Sequence, residues 1–204
     1  GAKPITLNMP EFHSSASINR IIGAPAGYVG SDSHAELPFD VLESNPYQVI
    51  LLDEFEKADR SVQTLFMGAF DEGCIKTSNG RLVDFSKAII IATTNASHTT
   101  GKASHIGFDT VDDDASARRQ TIADLSGWFS PELLNRFNMV LTFHNISKTE
   151  YRNILADTYK RDIARIKANH RTSLPDDMAE ETYTPEFGAR PAKRAIRDYI
   201  EENA

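Results

Sequence analysis

A parallel, doubly wound α/β sheet followed by a smaller helical part is the fold class that three observations in this sequence predict. Short apolar runs alternate with stretches of helical periodicity through most of the chain, the order expected of strand-helix-strand units. One run, Val49-Ile50-Leu51-Leu52, has no polar interruption, as a strand covered on both faces should, and it ends on two adjacent acids, Asp53 and Glu54. After His144 the strand signals stop and a long helical pattern begins.

Taken in order, strands are expected over ITLNM (5–9), QVILLD (48–53), AIIIATTN (88–95) and MVLTFH (139–144). Between the second and third, Val62, Leu65, Phe66, Ala69 and Phe70 recur at helical spacing, and Asp71-Glu72-Gly73 closes that helix. CIKTSNGRLVDF predicts a hairpin turning on Asn79-Gly80. Residues 98–118 are polar, acidic and poor in periodicity, which predicts a long exposed loop. Ser147 and Glu150 form a capping box, opening a helix whose apolar face is Tyr151, Ile154, Leu155, Tyr159, Ile163 and Ile166. PAKRAIRDYIEEN, with Pro191 in its first turn, makes the last helix. Two domains are therefore expected, an α/β part over 1–145 and a mainly helical part over 146–204. No internal repeat is present.

Composition narrows the partners. With 204 residues, 40% hydrophobic and 25% charged, the chain can bury a real core. Its 22 basic and 29 acidic residues give a net charge of −7, which argues against nucleic acid or an anionic membrane as the main partner. Cys74 is the one cysteine, so neither an intramolecular disulfide nor a cysteine-rich metal site is available. No apolar run approaches the length of a membrane span, and GAKPITLNM lacks the charged-then-apolar profile of a signal peptide, so the expected location is cytoplasmic.

Asp53 and Glu54 admit two readings. Acids at the start of a helix favour its N-terminal dipole and need no further role. The carboxyl end of a strand in an open α/β sheet is also where ligands bind. There the pair reads as a Walker B element, one carboxylate helping to hold a hydrated Mg²⁺ and the next polarising a water against a phosphate. That reading calls for a G-x-x-x-x-G-K-[ST] loop to cradle the phosphates. The nearest stretch, Gly23 to Gly30, has no Lys followed by Ser or Thr and carries Tyr28 where bare backbone is needed. The sequence holds half of a nucleotide site.

RIIGAPAGYVG, VILLDEFEKA, DEGCIKTSNGRLVDF, IIIATTN, SPELLNRF and GARPAKRAI occur in that order. Together they resemble the AAA+ module of the Clp/heat-shock unfoldases, in particular the second ATPase module of the two-ring members, closest to the ClpA/ClpC ATP-binding subunits of Clp protease. The resemblance spans nearly the whole chain. It implies an AAA+ P-loop-type parallel sheet with flanking helices and a small helical subdomain, ATP and Mg²⁺ as cofactors, and a homohexamer that threads unfolded protein through its pore.

Residue by residue, the resemblance makes Asp53 the Mg²⁺-associated acid, acting indirectly, and Glu54 the base that orients the attacking water. Asn95 matches the sensor that positions this water; a turn-forming Asn after a core strand is the plainer alternative. Arg136 matches the arginine finger that reaches a neighbouring subunit's nucleotide, where otherwise it would be a surface arginine capping the helix begun by Ser130-Pro131-Glu132. Arg190 matches the second sensor for the γ-phosphate, or is a solvated arginine of a basic helix. Tyr28 and Val29 match the pore paddle that grips a substrate chain, with a buried loop anchor as the alternative. Ile106-Gly107-Phe108 matches the tripeptide by which some members dock a ClpP-like peptidase, or it folds back onto its own domain.

Four departures are visible. The family's phosphate loop and the strand before it would lie ahead of Gly1, which implies a longer parent. The link from Ala168 to Thr184 is shorter than the family's, which supplies an extra strand and helix there. Asp59 stands where His is common, and Asn138 where Asp often follows the finger. A ClpB-type disaggregase without a peptidase and a non-hydrolysing AAA-like scaffold are the competing classes; a DNA-acting AAA+ protein is disfavoured by the acidic balance and the GYVG stretch.

Overall fold

The computed structural model describes residues 3–25, 27, 36–96, 121–141, 143, 145–166, 174, 175 and 177–202. The chain divides into two compact units, Gly1–Val140 and Leu141–Ala204.

The strands of the first unit are β1 (Ile5–Asn8), β2 (Val49–Asp53), β3 (Cys74–Lys76), β4 (Leu82–Asp84) and β5 (Ile89–Ala92). Three of them form a parallel sheet in the order β1-β2-β5; β3 and β4 pair as the antiparallel hairpin expected around Asn79-Gly80. In the parallel sheet Asn8 lies opposite Asp53, and Leu52 opposite Ala92. The helices of this unit include α1 (Asn19–Ile22), α2 (Val41–Ser44), α3 (Arg60–Glu72) and α4 (Pro131–Leu134).

The two-residue repeat of the strands sorts the sheet into two faces. One carries Leu7, Ile50 and Leu52 into a core shared with Val62 and Phe66 of α3, and Ile50, Leu52, Val62 and Phe66 are wholly buried. The other carries Asn8, Asp53, Val49, Leu51, Ile89 and Ile91. It differs from the expectation of a sheet covered on both sides, because Val49, Ile89 and Ile91 are 39%, 63% and 46% exposed. Exposed apolar side chains thus lie behind Asp53 on a face that the described residues leave open.

MVLTFH is a second difference. Its described residues, 139–141 and 143, carry no strand, and Met139, Leu141 and Phe143 are 71%, 70% and 85% exposed. An extended segment becomes a strand only when its backbone groups find a ladder partner, and none of the described residues supplies one. The alternating pattern is present without the pairing.

Helix α3 follows its sequence signals closely. Val62, Phe66 and Ala69 are buried, and Gly73 ends the helix with φ +66°, its N–H bonded to the Ala69 carbonyl. Asp59 caps the other end: its carboxylate accepts from the Ser61 hydroxyl (2.7 Å) and backbone N–H (2.9 Å). Those two bonds hold its carboxyl below the usual carboxylate range.

The second unit is built from α5 (Lys148–Ile166), α6 (Met178–Thr182) and α7 (Arg190–Glu202) around Tyr151, Leu155, Ala179, Ala192, Ile196 and Ile200. α6 falls within the link from Ala168 to Thr184 and supplies a helix there. Tyr151 is wholly buried and its hydroxyl donates to Thr182 Oγ1 (3.0 Å). The capping box forms as expected, Glu150 accepting from the Ser147 hydroxyl (2.7 Å) and N–H (2.8 Å).

That box has a pH consequence. Ser147 holds the Glu150 carboxyl below its ordinary 4.5, and Lys148, then Arg152, do the same for Glu180. A carboxyl depressed in the folded state contributes stability above its unfolded pKa and loses it as pH falls through the folded value. The melting temperature of this unit should therefore be level near neutrality and decline below about pH 4.5. Ser147→Ala should lower it at neutral pH and blunt the acid decline. Melts followed by circular dichroism check this; an unchanged acid profile in the variant contradicts it.

Candidate functional site

β2 delivers Asp53 and Glu54 to the carboxyl end of the sheet, and the turn that follows is unusual. Glu54 has φ 57° and ψ 51°, left-handed backbone that no other non-glycine among the described residues adopts. Such a conformation costs a side-chain-bearing residue on the order of 1–3 kcal/mol and persists only where its surroundings enforce it. Phe55, the next residue, is wholly buried, stacked on Phe129 (5.6 Å between centroids) and edge-on to Phe66 (5.9 Å). The sharp turn lets Phe55 enter the core while Glu54 stays partly exposed at the surface.

Thr93, just past β5, enforces that turn from the neighbouring strand. Its hydroxyl accepts from the Glu54 N–H (3.1 Å) and donates to Asp53 Oδ1 (2.6 Å). Its carbonyl accepts from the Phe55 N–H (2.9 Å), and its own N–H donates to the Leu52 carbonyl (3.0 Å). One side chain thus holds the Asp53 carboxylate and the Glu54 backbone. Asp53 Oδ2 has no partner among the described residues, which leaves an oxygen for a hydrated cation. Among these residues no cluster of three or more His, Cys, Asp or Glu could hold a metal alone. A single carboxylate fits Mg²⁺, which keeps most of its waters and takes its other ligands from phosphates.

Asn95 joins the same place. Its backbone N–H donates to Glu56 Oε1 (3.2 Å), so the Asp53–Glu56 turn and the end of β5 are stitched together, and the Asn95 side chain is exposed beside the acids' turn.

Arg136 is held elsewhere in the first unit. Ser130 caps α4 by accepting from the Leu133 N–H (3.2 Å), and Leu133 and Leu134 bury themselves in the core. Past this short helix Phe137 packs on Phe70 (5.2 Å), which sets Arg136 beside Asp71 at the end of α3. Its Nε donates to the Asp71 carboxylate, its Nη1 to the Glu132 carbonyl (2.9 Å) and its Nη2 to Glu132 Oε1 (3.2 Å). Asp71 beside it raises the Arg136 pKa further, and Arg136 holds the Asp71 carboxyl below its usual range. Its charged partners are Asp71 and Glu132, not Asp53 or Glu54.

The structure therefore gathers Asp53, Glu54 and Asn95 and places Arg136 on the Asp71 side of α3. Arg190 is the exposed first residue of α7, in the second unit. Tyr28, Val29, Ile106, Gly107 and Phe108 lie outside the described residues. Thr93 and Glu56 were not singled out from sequence, and Asp71 was read only as part of a helix stop. Thr93 had a signal, since two threonines end an otherwise apolar strand; Glu56 had none, because EFEKA reads as an exposed helix start.

Comparison with known proteins places these residues in a family. The family described as AAA domain (Cdc48 subfamily) matches residues 2–140, and the C-terminal, D2-small domain, of ClpB protein matches 147–203. The ATP-dependent Clp protease ATP-binding subunit ClpE of Bacillus subtilis (strain 168) is 35% identical over 204 residues, 97% of this chain and 29% of that protein. Heat shock protein 104 of Schizosaccharomyces pombe is 33% identical over 208 residues, covering 96% of this chain and 22% of the relative. Among solved structures, the S. cerevisiae Hsp104:casein complex in its extended conformation aligns with a TM-score of 0.78 at 28% identity, over 97% of this chain and 34% of that one. The chain thus spans under a third of the length of these curated relatives.

Proposed function

The chain belongs to the AAA domain (Cdc48 subfamily) family, among the Clp/Hsp104 AAA+ chaperones, and on that premise we propose that it is the hydrolytic half of an ATP site in a protein-unfolding motor. The observation that carries the reading is the Asp53-Glu54 pair at the end of β2, the Asp53 carboxylate and the Glu54 backbone both held by the Thr93 hydroxyl. Asp53 would hold Mg²⁺ through its water shell, and the ion would neutralise charge on the β- and γ-phosphates. Glu54 takes the proton of the attacking water, and Asn95 fixes where that water sits. Arg136 acts on the nucleotide of a neighbouring subunit, and Arg190 reports the γ-phosphate from the small subdomain. A phosphate loop of the family's kind, which these residues do not hold, would complete the site. The open apolar face leading up to Asp53, with Val49, Ile89 and Ile91 exposed, supports such a covering segment.

The motor works as a homohexamer whose Tyr28 and Val29 grip unfolded polypeptide in the pore. Ile106-Gly107-Phe108 favours a ClpP-like peptidase as the downstream partner over a free-standing disaggregase, since a tripeptide with two apolar side chains suits a hydrophobic pocket on a second ring. The relatives include both a Clp protease ATP-binding subunit and heat shock protein 104. No nucleic acid or membrane has a part in this scheme, and no helix among the described residues is long and apolar enough to cross a membrane.

Threading is tested at Tyr28. Tyr28→Ala in the whole protein should retain most ATPase activity while unfolding of a tagged substrate falls sharply, because the phosphate chemistry is untouched. Equal loss of both activities overturns the pore assignment.

A further inference from the structure

Glu56 is the least expected residue near the acidic pair. It lies two positions after Glu54 in a short turn, is only 8% exposed, and its Oε1 accepts the Asn95 N–H at 3.2 Å. Its Oε2 is buried and has no hydrogen-bond partner among the described residues. A carboxyl group buried with one oxygen unsatisfied destabilises a fold relative to an apolar side chain of the same size. Glu56 therefore does not earn its place by stabilising the core. What it does contribute is a link from its turn to the Asn95 N–H. The residues before and after it make this link consequential. On one side, Thr93 binds Asp53 and Glu54; on the other, Ala96 is buried and its N–H bonds Thr94 Oγ1 (3.1 Å). Asn95 lies with Thr94 between those two anchors, and its backbone is held to the acid-bearing turn by Glu56.

We propose that Glu56 is a positioning residue for hydrolysis: by accepting the Asn95 N–H it fixes the Asn95 side chain relative to the Asp53-Glu54 turn. It touches neither nucleotide nor water. The inference rests on the reading of Asn95 as the residue that places the attacking water. Small displacements of such a group lower the rate steeply, about a hundred-fold for an error near 1 Å, while leaving nucleotide affinity alone.

The test uses the whole protein and three variants. Glu56→Met removes the unsatisfied oxygen but also the acceptor of the Asn95 N–H, so the two effects offset and its melting temperature should stay close to that of the wild type. Its kcat for ATP should fall by about ten- to a hundred-fold, with KM changed by less than about threefold. Glu56→Gln restores an acceptor oxygen to the same place and should recover kcat to within about threefold of wild type. In the background of Asn95→Ala, Glu56→Met should lower kcat by less than about twofold more, because a residue that acts through Asn95 has nothing left to position. A Glu56→Met protein that melts well below wild type, keeps its kcat, or multiplies the Asn95→Ala defect overturns the proposal, as does failure of Glu56→Gln to recover. If Asn95→Ala itself hydrolyses ATP normally, the underlying reading of Asn95 fails, which is a distinguishable result.

Discussion

Glu54→Gln in the whole protein is expected to bind ATP as the wild type does and to hydrolyse it at least ~100-fold more slowly, the lower range of what loss of a general base costs. The substitution keeps the size and shape of the side chain. The backbone bonds that hold the left-handed turn, from the Glu54 and Phe55 N–H groups to Thr93, do not involve the replaced atoms. Structure and affinity should therefore survive while proton acceptance is lost. Nucleotide binding by calorimetry and single-turnover hydrolysis separate the two effects. Turnover within a few-fold of wild type contradicts the assignment, and a parallel loss of binding points instead to a role in holding the nucleotide.

Arg136→Ala should be as severe, with turnover down on the order of 10³-fold, the scale on which an arginine finger acts. The structure adds a constraint. Arg136 is paired with Asp71 and Glu132 of its own chain, and these carboxylates are 45% and 64% exposed. Pairs this exposed contribute little to stability, so the variant should melt close to the wild type. They also hold the guanidinium at the end of α3, from where, on the proposed reading, it would exchange partners with a phosphate of the adjoining subunit. A large fall in melting temperature together with the loss of turnover would make Arg136 a structural anchor of α3 and α4.

How much of this was legible beforehand depends on the physics of each signal. α3 was readable end to end because its apolar spacing, its capping glycine and its acidic stop all act locally. The Ser147-Glu150 box and the Asn79-Gly80 turn were readable for the same reason. β2 and β5 were readable as strands, but not the open face they share, since the apolar pattern of Val49, Ile89 and Ile91 is the same whether or not a cover is present. MVLTFH has the pattern of a strand and lacks its pairing among the described residues, because pairing is a long-range property. At the site, Asp53 and Glu54 stood out as acids after an apolar run. Thr93 and Glu56 did not, because their roles arise from hydrogen bonds across 40 and 39 positions of sequence.

The central claim is that hydrolysis is shared between subunits, Asp53 and Glu54 serving one nucleotide and Arg136 of the next subunit completing it. In a head-to-tail ring each interface brings unlike surfaces together. Mixing Glu54→Gln subunits with Arg136→Ala subunits tests the claim most directly. Each variant alone should be nearly inactive. In an equal mixture about a quarter of interfaces join an intact Glu54 from one variant to an intact Arg136 from the other, so turnover should return to about a quarter of wild type. A mixture as inactive as its components would contradict shared hydrolysis and place both residues at a site within one subunit.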